Sequence, residues 1–354
     1  MTHLSTEYVK RPDLQYPFGL RWSPAEGEPF EVVDGVHWLR MPLPMDLDHI
    51  NLWLLRDGDG WTIVDSGMGT DICRAVWEQV FDRFLDPTTV KRIIVTHLHP
   101  DHIGLAAWLA LRCECPVLIS KGEFEAYNKT THRDNTTFAQ ESHAFFAEMG
   151  YGRDVAAKFV SLMSSDKPLE SRVQTSMCQF IADGDIINID GRAWQVVSGN
   201  GHSPEHSCLY NAELNVFISG DQSIPRISSN VSVYSSNRRK NPLKDWLNSC
   251  AKLRDLIPND TLILPSHQEP FCNNKVRMQE LIDNHHADLN RLRLAIDSPV
   301  SVIEARAVMF ARELNMMDTL LASGETLAHL NYLVHAGEIS MTHDQQGVAR
   351  YCKQ

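Results

Sequence analysis

The sequence predicts an α/β fold with a helical insertion and a small, mostly helical C-terminal module. Short apolar, β-branched runs separated by turn residues lie at residues 30–65 and 186–264, and such runs are typical of strands. Between these blocks, residues 121–183 place apolar side chains at three- and four-residue spacing, which is typical of amphipathic helices. After His267 the pattern is helical for most of the remaining chain.

The length of the chain, 354 residues, exceeds that of a usual single domain. We expect an N-terminal extension at residues 1–29, a main domain at residues 30–272 and a C-terminal module at residues 273–354. The helical insertion at about residues 121–183 belongs to the main domain. The composition, 43% hydrophobic and 22% charged, is that of an ordinary globular protein.

The formal net charge of −12 disfavours a broad phosphate-binding surface, so nucleic acid is not an expected partner. The first residues lack the pattern of a secretory signal, and no run reaches the ~18 apolar residues of a membrane span. The eight cysteines follow neither a disulfide framework nor a zinc-finger spacing. We therefore expect a cytoplasmic protein with reduced thiols and no membrane partner.

The first half of the main domain is predicted to be rich in strands. The expected strands lie at residues 36–39, 51–55, 61–65, 92–95 and 116–120. A tight turn, DGDG at residues 57–60, joins the second and third of them. Helices are expected from about Asp71 and at residues 105–112.

The second half combines helices with further strands. Helices are predicted at residues 138–149 and 155–163 and from Lys275 to about Asp297. Strands are predicted at residues 186–189, 194–197, 207–210, 216–219 and 261–264. In the tail, one helix is expected to include Ala305 and Leu314, a second to include residues 320–333, and a short strand to follow.

The most informative segment is THLHPDH at residues 96–102, which directly follows the strand predicted at residues 92–95. Its potential metal ligands are three imidazoles and one carboxylate, His97, His99, Asp101 and His102. His97 and His99 point the same way, whereas Asp101 and His102 begin a second set, so the spacing suits two metal ions better than one. The alternative is a surface loop with exposed histidines, which would place four ligand-type residues together by chance.

Three later residues follow strands in the same way. His202 comes after the strand at residues 194–197, Asp221 after that at residues 216–219, and His267 after that at residues 261–264. A catalytic metal centre needs ligands from several strand ends to fix its geometry, so we expect these residues to join the first cluster.

Taken together, these residues resemble the H-x-H-x-D-H motif and downstream ligands of the metallo-β-lactamase superfamily, the glyoxalase II-like hydrolases. The likeness spans roughly residues 30–270 and implies an αββα sandwich. Where that family often has Thr-Pro-Gly-His after the ligand equivalent to His202, this chain has SPEH at residues 203–206. Glu205 therefore replaces a small residue, which argues against a direct transfer of the glyoxalase II substrate.

By this resemblance, His97, His99 and His202 would hold one metal ion, and Asp101, His102 and His267 a second. Asp221 would bridge the two ions, and Asp65 would orient a ligand imidazole unless it only forms a turn. His206 is either a similar partner or a packed core histidine.

The expected cofactors are two divalent metal ions, zinc first, with iron or manganese as alternatives. Such a pair lowers the pKa of a shared water to about 7, and the resulting hydroxide would attack the substrate. Asp101 would orient this hydroxide or take up a proton.

The predicted function is a dinuclear metal-dependent hydrolase acting on a small-molecule ester-type carbonyl, a thioester or a lactone. The alternative is a metal-dependent nuclease or phosphodiesterase, favoured by the basic run RRK at residues 238–240 and by the tail, whose order of elements resembles a winged helix. A packing or homodimerisation appendage is the other interpretation of the tail. A non-catalytic metal or redox scaffold would need a filled coordination shell or a bound flavin, and the sequence shows neither a flavin domain nor a Cys ligand in the cluster.

The substrate pocket is expected to be walled by the insertion and by the segment after Asp221. Arg226 in that segment could bind an anionic substrate group or form an ion pair. Tyr127 and Tyr151 in the insertion could donate to a developing oxyanion, although nothing in the sequence directs them there.

Overall fold

The computed structural model describes residues 13–45, 47–163 and 172–353. Some residues of the predicted regions lie outside the described residues: 1–12 of the extension, 46 of the main domain, 164–171 of its insertion and 354 of the module.

The first sheet contains seven strands in sequential order. They are β1 (Phe30–Val33), β2 (Val36–Pro42), β3 (His49–Asp57), β4 (Gly60–Val64), β5 (Val90–Ile94), β6 (Val117–Ser120) and β7 (Cys178–Ile181). Strands β1 to β4 pair antiparallel, and β4 to β7 pair parallel. The predicted turn joins β3 to β4, with Gly58 at φ +66°.

The second sheet has the order β12-β11-β10-β9-β8. Its strands are β8 (Ile186–Ile189), β9 (Arg192–Gly199), β10 (His206–Asn211), β11 (Val216–Gly220) and β12 (Leu262–Pro265). Only β11 and β12 are parallel neighbours, so their carboxyl ends lie at the same edge.

The helices lie between and after these strands. They are α1 (Asp71–Arg83), α2 (Pro100–Ile103), α3 (Ala106–Cys113), α4 (Lys121–Thr131), α5 (Asn135–Glu148), α6 (Arg153–Met163), α7 (Pro242–Leu256), α8 (Asn274–Ala295), α9 (Val302–Met309) and α10 (Met316–His335). The segment 121–183, predicted as a helical insertion, is not wholly helical, because its last part supplies edge strand β7.

Three apolar clusters define the layers. Trp38 and Leu55 of the first sheet share one cluster with Trp194 and Leu209 of the second, so the two sheets pack face to face. The outer face of the first sheet packs against α1 and α3, and that of the second against α5 to α10. The predicted αββα sandwich is confirmed.

The tail contains α9, α10 and a hairpin of β13 (Ile339–His343) and β14 (Ala349–Lys353). Helix α9 ends at Met309, so the prediction that Leu314 belongs to it is wrong. Leu330 of α10 and Tyr351 of β14 lie in the same cluster as Phe217 of the second sheet. The order of elements is the one that suggested a winged helix, which stays a prediction.

All eight cysteine side chains are free thiols. Within the part of the chain that the structure describes, no helix is long and apolar enough to cross a membrane.

Candidate metal centre

The seven predicted ligands come from the carboxyl ends of four strands. His97 and His99 lie in the loop after β5, and Asp101 and His102 lie in the first turn of α2, which Pro100 begins. His202 follows β9, Asp221 follows β11, and His267 follows β12. The structure brings all seven together, in one group of His97, His99, His202 and Asp221 and a second of Asp101, His102 and His267.

Asp221 lies between the two groups. Its Oδ2 is 3.3 Å from Nε2 of His202 and 3.9 Å from Nε2 of His97. Its Oδ1 is 3.5 Å from Nε2 of His102 and 3.6 Å from Nε2 of His267. Each carboxylate oxygen therefore faces a different set of imidazoles.

Other ligand-type side chains within each group also contact each other. Nε2 of His97 lies 2.9 Å from Nδ1 of His99 in the first group. In the second, Oδ2 of Asp101 is 3.4 Å from Nε2 of His267 and 3.6 Å from Nε2 of His102. His99, Asp101 and His202 are partly exposed, so the centre opens to solvent on their side.

Asp65 orients one of these imidazoles. Its Oδ2 is 2.8 Å from Nδ1 of His102, and its Oδ1 accepts a hydrogen bond of 2.8 Å from the backbone N–H of Thr96. Its backbone is left-handed, with φ +62°. Asp65 therefore contacts the ligand-type histidine, as the resemblance implied.

Two further imidazoles are oriented by backbone carbonyls. Nδ1 of His202 is 2.7 Å from the oxygen of Asn230, and Nδ1 of His267 is 2.9 Å from the oxygen of His49. An imidazole that donates from Nδ1 presents the lone pair of Nε2, which is the arrangement found in metal-binding histidines.

The buried polar atoms that lack a hydrogen bond indicate that the centre fits a cation. Among the described residues, Nε2 of His102, His202 and His267 and Oδ1 of Asp221 are buried and make no hydrogen bond. Buried polar atoms are normally satisfied. Four such atoms pointing into one space form a donor set of imidazole and carboxylate that suits divalent transition metals.

The two groups differ in their electrostatics. Burial lowers the pKa of His97 well below its ordinary value and that of His99 to about 3, so both imidazoles are neutral near pH 7. Burial also lowers the pKa of His102, but the carboxylates of Asp65, Asp101 and Asp221 outweigh it and raise the pKa to about 10. Metal binding at the second group would displace a proton.

Glu123 is a residue of the centre that the sequence did not indicate. It is fully buried, and its Oε2 accepts a hydrogen bond of 2.9 Å from the backbone N–H of Leu98. Its Oε1 accepts from the hydroxyl of Ser203 at 2.6 Å and from the N–H of Glu205 at 2.7 Å. Glu123 thus ties the loop of His97 and His99 to the loop of His202.

Asn51 holds the His267 loop in a similar way. Its side-chain amide donates to the oxygens of Pro265 at 2.9 Å and Gln268 at 2.7 Å. The indole N–H of Trp38 donates to its Oδ1 at 2.7 Å, which fixes the amide.

Other predicted candidates lie elsewhere or act indirectly. The hydroxyl of Tyr127 accepts from the N–H of Val173, and that of Tyr151 bonds to Ser323, so both of these contacts are made to residues outside the seven ligand-type side chains. Arg226 pairs with Glu269.

Glu205 and His206, which follow His202 in the sequence, also make contacts within the protein. Glu205 accepts a hydrogen bond of 2.7 Å from the N–H of Gly122. His206 accepts one of 3.1 Å from the N–H of Asp221 and stacks on His97, with ring centroids 4.7 Å apart. His206 is therefore the partner of a ligand-type residue.

An αββα sandwich with paired histidine and aspartate groups at its strand ends defines a class of metal-dependent hydrolases. The sequence model of the metallo-beta-lactamase superfamily matches residues 45–267, and that of the metallo-beta-lactamase-like C-terminal domain matches residues 289–354. The chain belongs to the metallo-beta-lactamase superfamily, which confirms the resemblance, and it is classed with the metal-dependent hydrolases.

Similar proteins and solved structures support this family assignment. A beta-lactamase domain protein from Burkholderia ambifaria has a crystal structure that is 41% identical, covers 96% of this chain and 98% of its own, and superposes with a TM-score of 0.86. The probable metallo-hydrolase YqjP of Bacillus subtilis is 25% identical over 83% of this chain and 91% of its own length. The human acyl-coenzyme A thioesterase MBLAC2 is 24% identical over 67% of this chain and 80% of its own length.

Proposed function

We propose that the protein is a dinuclear metal hydrolase that cleaves a thioester. The observation that supports two ions is the position of Asp221, whose two oxygens face two different sets of imidazoles. His97, His99 and His202 would hold one ion, Asp101, His102 and His267 the other, and Asp221 would bridge them.

Zinc is the ion that mixed imidazole and carboxylate ligands favour, with iron or manganese as alternatives. When bound, the pair lowers the pKa of a shared water towards neutrality and polarises the scissile carbonyl. Imidazoles of the two groups are already oriented for metal binding in this structure, because they contact Asp65, Asn230 and His49.

Asp101 is the residue we assign to positioning the attacking water. It lies on the partly exposed side of the centre. Burial raises its pKa, but His102 and His267 outweigh that effect and lower it to about 2. A carboxylate at this position can accept a hydrogen bond from the water and so orient it.

The thioester is preferred because the human relative is named as an acyl-coenzyme A thioesterase. A lactone is the other ester-type substrate. The nuclease or phosphodiesterase is less favoured, because Glu148 pairs with both Arg238 and Arg239 and so offsets part of the positive charge of the basic run.

A substrate panel on zinc-loaded, metal-analysed protein tests this function. Acyl-coenzyme A thioesters of several chain lengths, lactones and a phosphodiester should be compared, with chelator-treated protein as the blank. Turnover of thioesters that chelation abolishes is expected. Hydrolysis of the phosphodiester with no thioester turnover would contradict the proposal.

The bridging assignment has its own test. Asp221→Ala is expected to lose both ions and nearly all turnover while staying folded, whereas Asp82→Ala on the exposed face of α1 should retain both. Elemental analysis that finds two ions per chain in Asp221→Ala would contradict the bridging role.

A further inference from the structure

A second cluster of ligand-type residues lies in the helical layer outside the second sheet. His285 and Asp288 belong to α8, and His329 belongs to α10. All three side chains are buried, and one potential ligand atom from each lies within 4.8 Å of the other two. Trp246 of α7 encloses one side, with its ring centroid 6.5 Å from that of His285.

The spacing of the two imidazoles suits a shared ion. Nδ1 of His285 is 3.2 Å from Nε2 of His329. Two nitrogen ligands of a tetrahedral zinc ion, each at about 2.05 Å, lie about 3.3 Å apart. The candidate metal centre shows the same kind of contact, since His97 and His99 approach each other to 2.9 Å.

The imidazole of His329 is also oriented for this role. Its Nδ1 is 2.8 Å from the backbone oxygen of Glu325, one turn earlier in α10. Donation from Nδ1 leaves the lone pair of Nε2 facing the cluster. Burial lowers the pKa of His329, which keeps the ring neutral and able to bind a cation at pH 7.

Asp288 adds the negative charge that a cation requires. It lies one helical turn after His285, so both project from the same face of α8 towards α10. Arg291 pairs with its carboxylate and satisfies one side of it. Two imidazoles and one carboxylate favour first-row transition metals, whereas magnesium and calcium prefer all-oxygen ligands.

We propose that His285, Asp288 and His329 bind a divalent transition-metal ion that links α8 to α10. This site is separate from the strand-end centre and does not depend on the proposed thioesterase activity. The competing interpretation is a pair of hydrogen-bonded histidines that fills the helical core without a cation.

A metal count on matched variants separates the two interpretations. His285→Gln, Asp288→Asn and His329→Gln are compared with His286→Gln, which alters the exposed neighbouring histidine of the same helix. Each protein is stripped with chelator, reloaded with Zn²⁺ and dialysed before elemental analysis. The three cluster variants are expected to hold one ion fewer per chain than His286→Gln.

Equal counts in all four folded proteins would overturn the proposal. The difference between variants is independent of the strand-end centre, because any ions bound there are counted equally in each protein. Failure of the thioesterase proposal would therefore leave this result unchanged.

A crystallographic measurement on the unaltered protein covers the case in which a variant does not fold. Crystals of Zn²⁺-loaded protein should show an anomalous scattering peak at the zinc edge between α8 and α10. Its absence in such crystals would overturn the proposal, whether or not the strand-end centre is filled.

Discussion

At the scale of single residues, the candidate centre depends on side chains that orient the ligand-type histidines. Asp65 is the clearest case, because it contacts Nδ1 of His102 at 2.8 Å and also holds the backbone of Thr96. Asp65→Asn preserves the size of the side chain and tolerates the positive φ, but it removes the charge. We expect zinc affinity to fall about 10- to 100-fold, measured by competition with a chromophoric chelator.

The control for this variant is Asp190→Asn, which alters another aspartate with positive φ (+54°) in a surface turn away from the centre. It should bind zinc as the unaltered protein does. Equal affinities in the two variants would show that the charge of Asp65 has no part in holding His102.

His37 allows a prediction about acid stability. Burial lowers its pKa below the ordinary value of about 6.5, although Glu31 opposes the shift. The folded state therefore keeps His37 neutral where the unfolded chain would protonate it, so its contribution to stability is complete above about pH 6.5 and is lost as the pH falls below that value.

His37→Phe retains the ring contacts with Trp61 and Phe84 and removes the titration. Its free energy of unfolding in urea should fall less between pH 7.5 and pH 5.5 than that of the unaltered protein. His286→Phe, at an exposed position, is the control and should keep the original slope. A slope in His37→Phe equal to that of the unaltered protein would show that burial of this imidazole does not weaken the fold in acid.

The sequence predicted that the seven ligand-type residues would meet, because each follows a strand within a few positions. Glu123 could not be predicted in the same way. Its partners Leu98 and Ser203 lie 25 and 80 residues away, and the sequence places it only as the third residue of a helix capped by Ser120. Long-range hydrogen bonds of this kind leave no local pattern.

At the scale of elements, the strand ends must turn sharply to present their ligands. Gly220 ends β11 at φ +53°, and a Cβ added there would lie 2.4 Å from Cε1 of His206. Gly220→Ala is therefore expected to lower the free energy of unfolding by about 2 kcal/mol, in the range typical of overpacking, and to weaken zinc binding by displacing Asp221.

Gly191→Ala introduces a Cβ at a residue with positive φ but without a steric clash, so it tests the effect of backbone strain alone. Gly191 has φ +75°, but a Cβ added there would meet nothing within 4 Å. Urea unfolding should show a smaller loss for Gly191→Ala and no change in zinc affinity. Equal losses in the free energy of unfolding would show that the effect of Gly220→Ala comes from its positive φ alone.

Helices and strands were predictable to different degrees. Helix α7 was missed, although Asn241 before Pro242 and the buried series Leu243, Trp246, Leu247, Cys250 and Leu253 are typical of a capped amphipathic helix. The sequence of edge strand β7 gives a much weaker signal, because its four residues are ordered by pairing with β6, which lies more than 50 positions earlier. A short strand of this kind depends on its partner rather than on its own sequence.

At the scale of the whole molecule, the C-terminal tail is part of the structure that supports the candidate centre. Glu325 of α10 accepts a hydrogen bond of 3.1 Å from the side-chain amide of Asn230. The backbone oxygen of Asn230 in turn lies 2.7 Å from Nδ1 of His202. A change in α10 should therefore reach a ligand-type histidine through one intervening residue.

Glu325→Ala is expected to weaken zinc binding by less than about tenfold, because its contact with Asn230 reaches His202 through one intervening residue. The measurement is the same chelator competition, with Glu313→Ala at an exposed position of the tail as the matched control. Circular dichroism should show both variants folded, since neither removes an apolar side chain from the core. If Glu325→Ala bound zinc as tightly as Glu313→Ala, the tail would contribute packing to the second sheet and nothing to the orientation of His202.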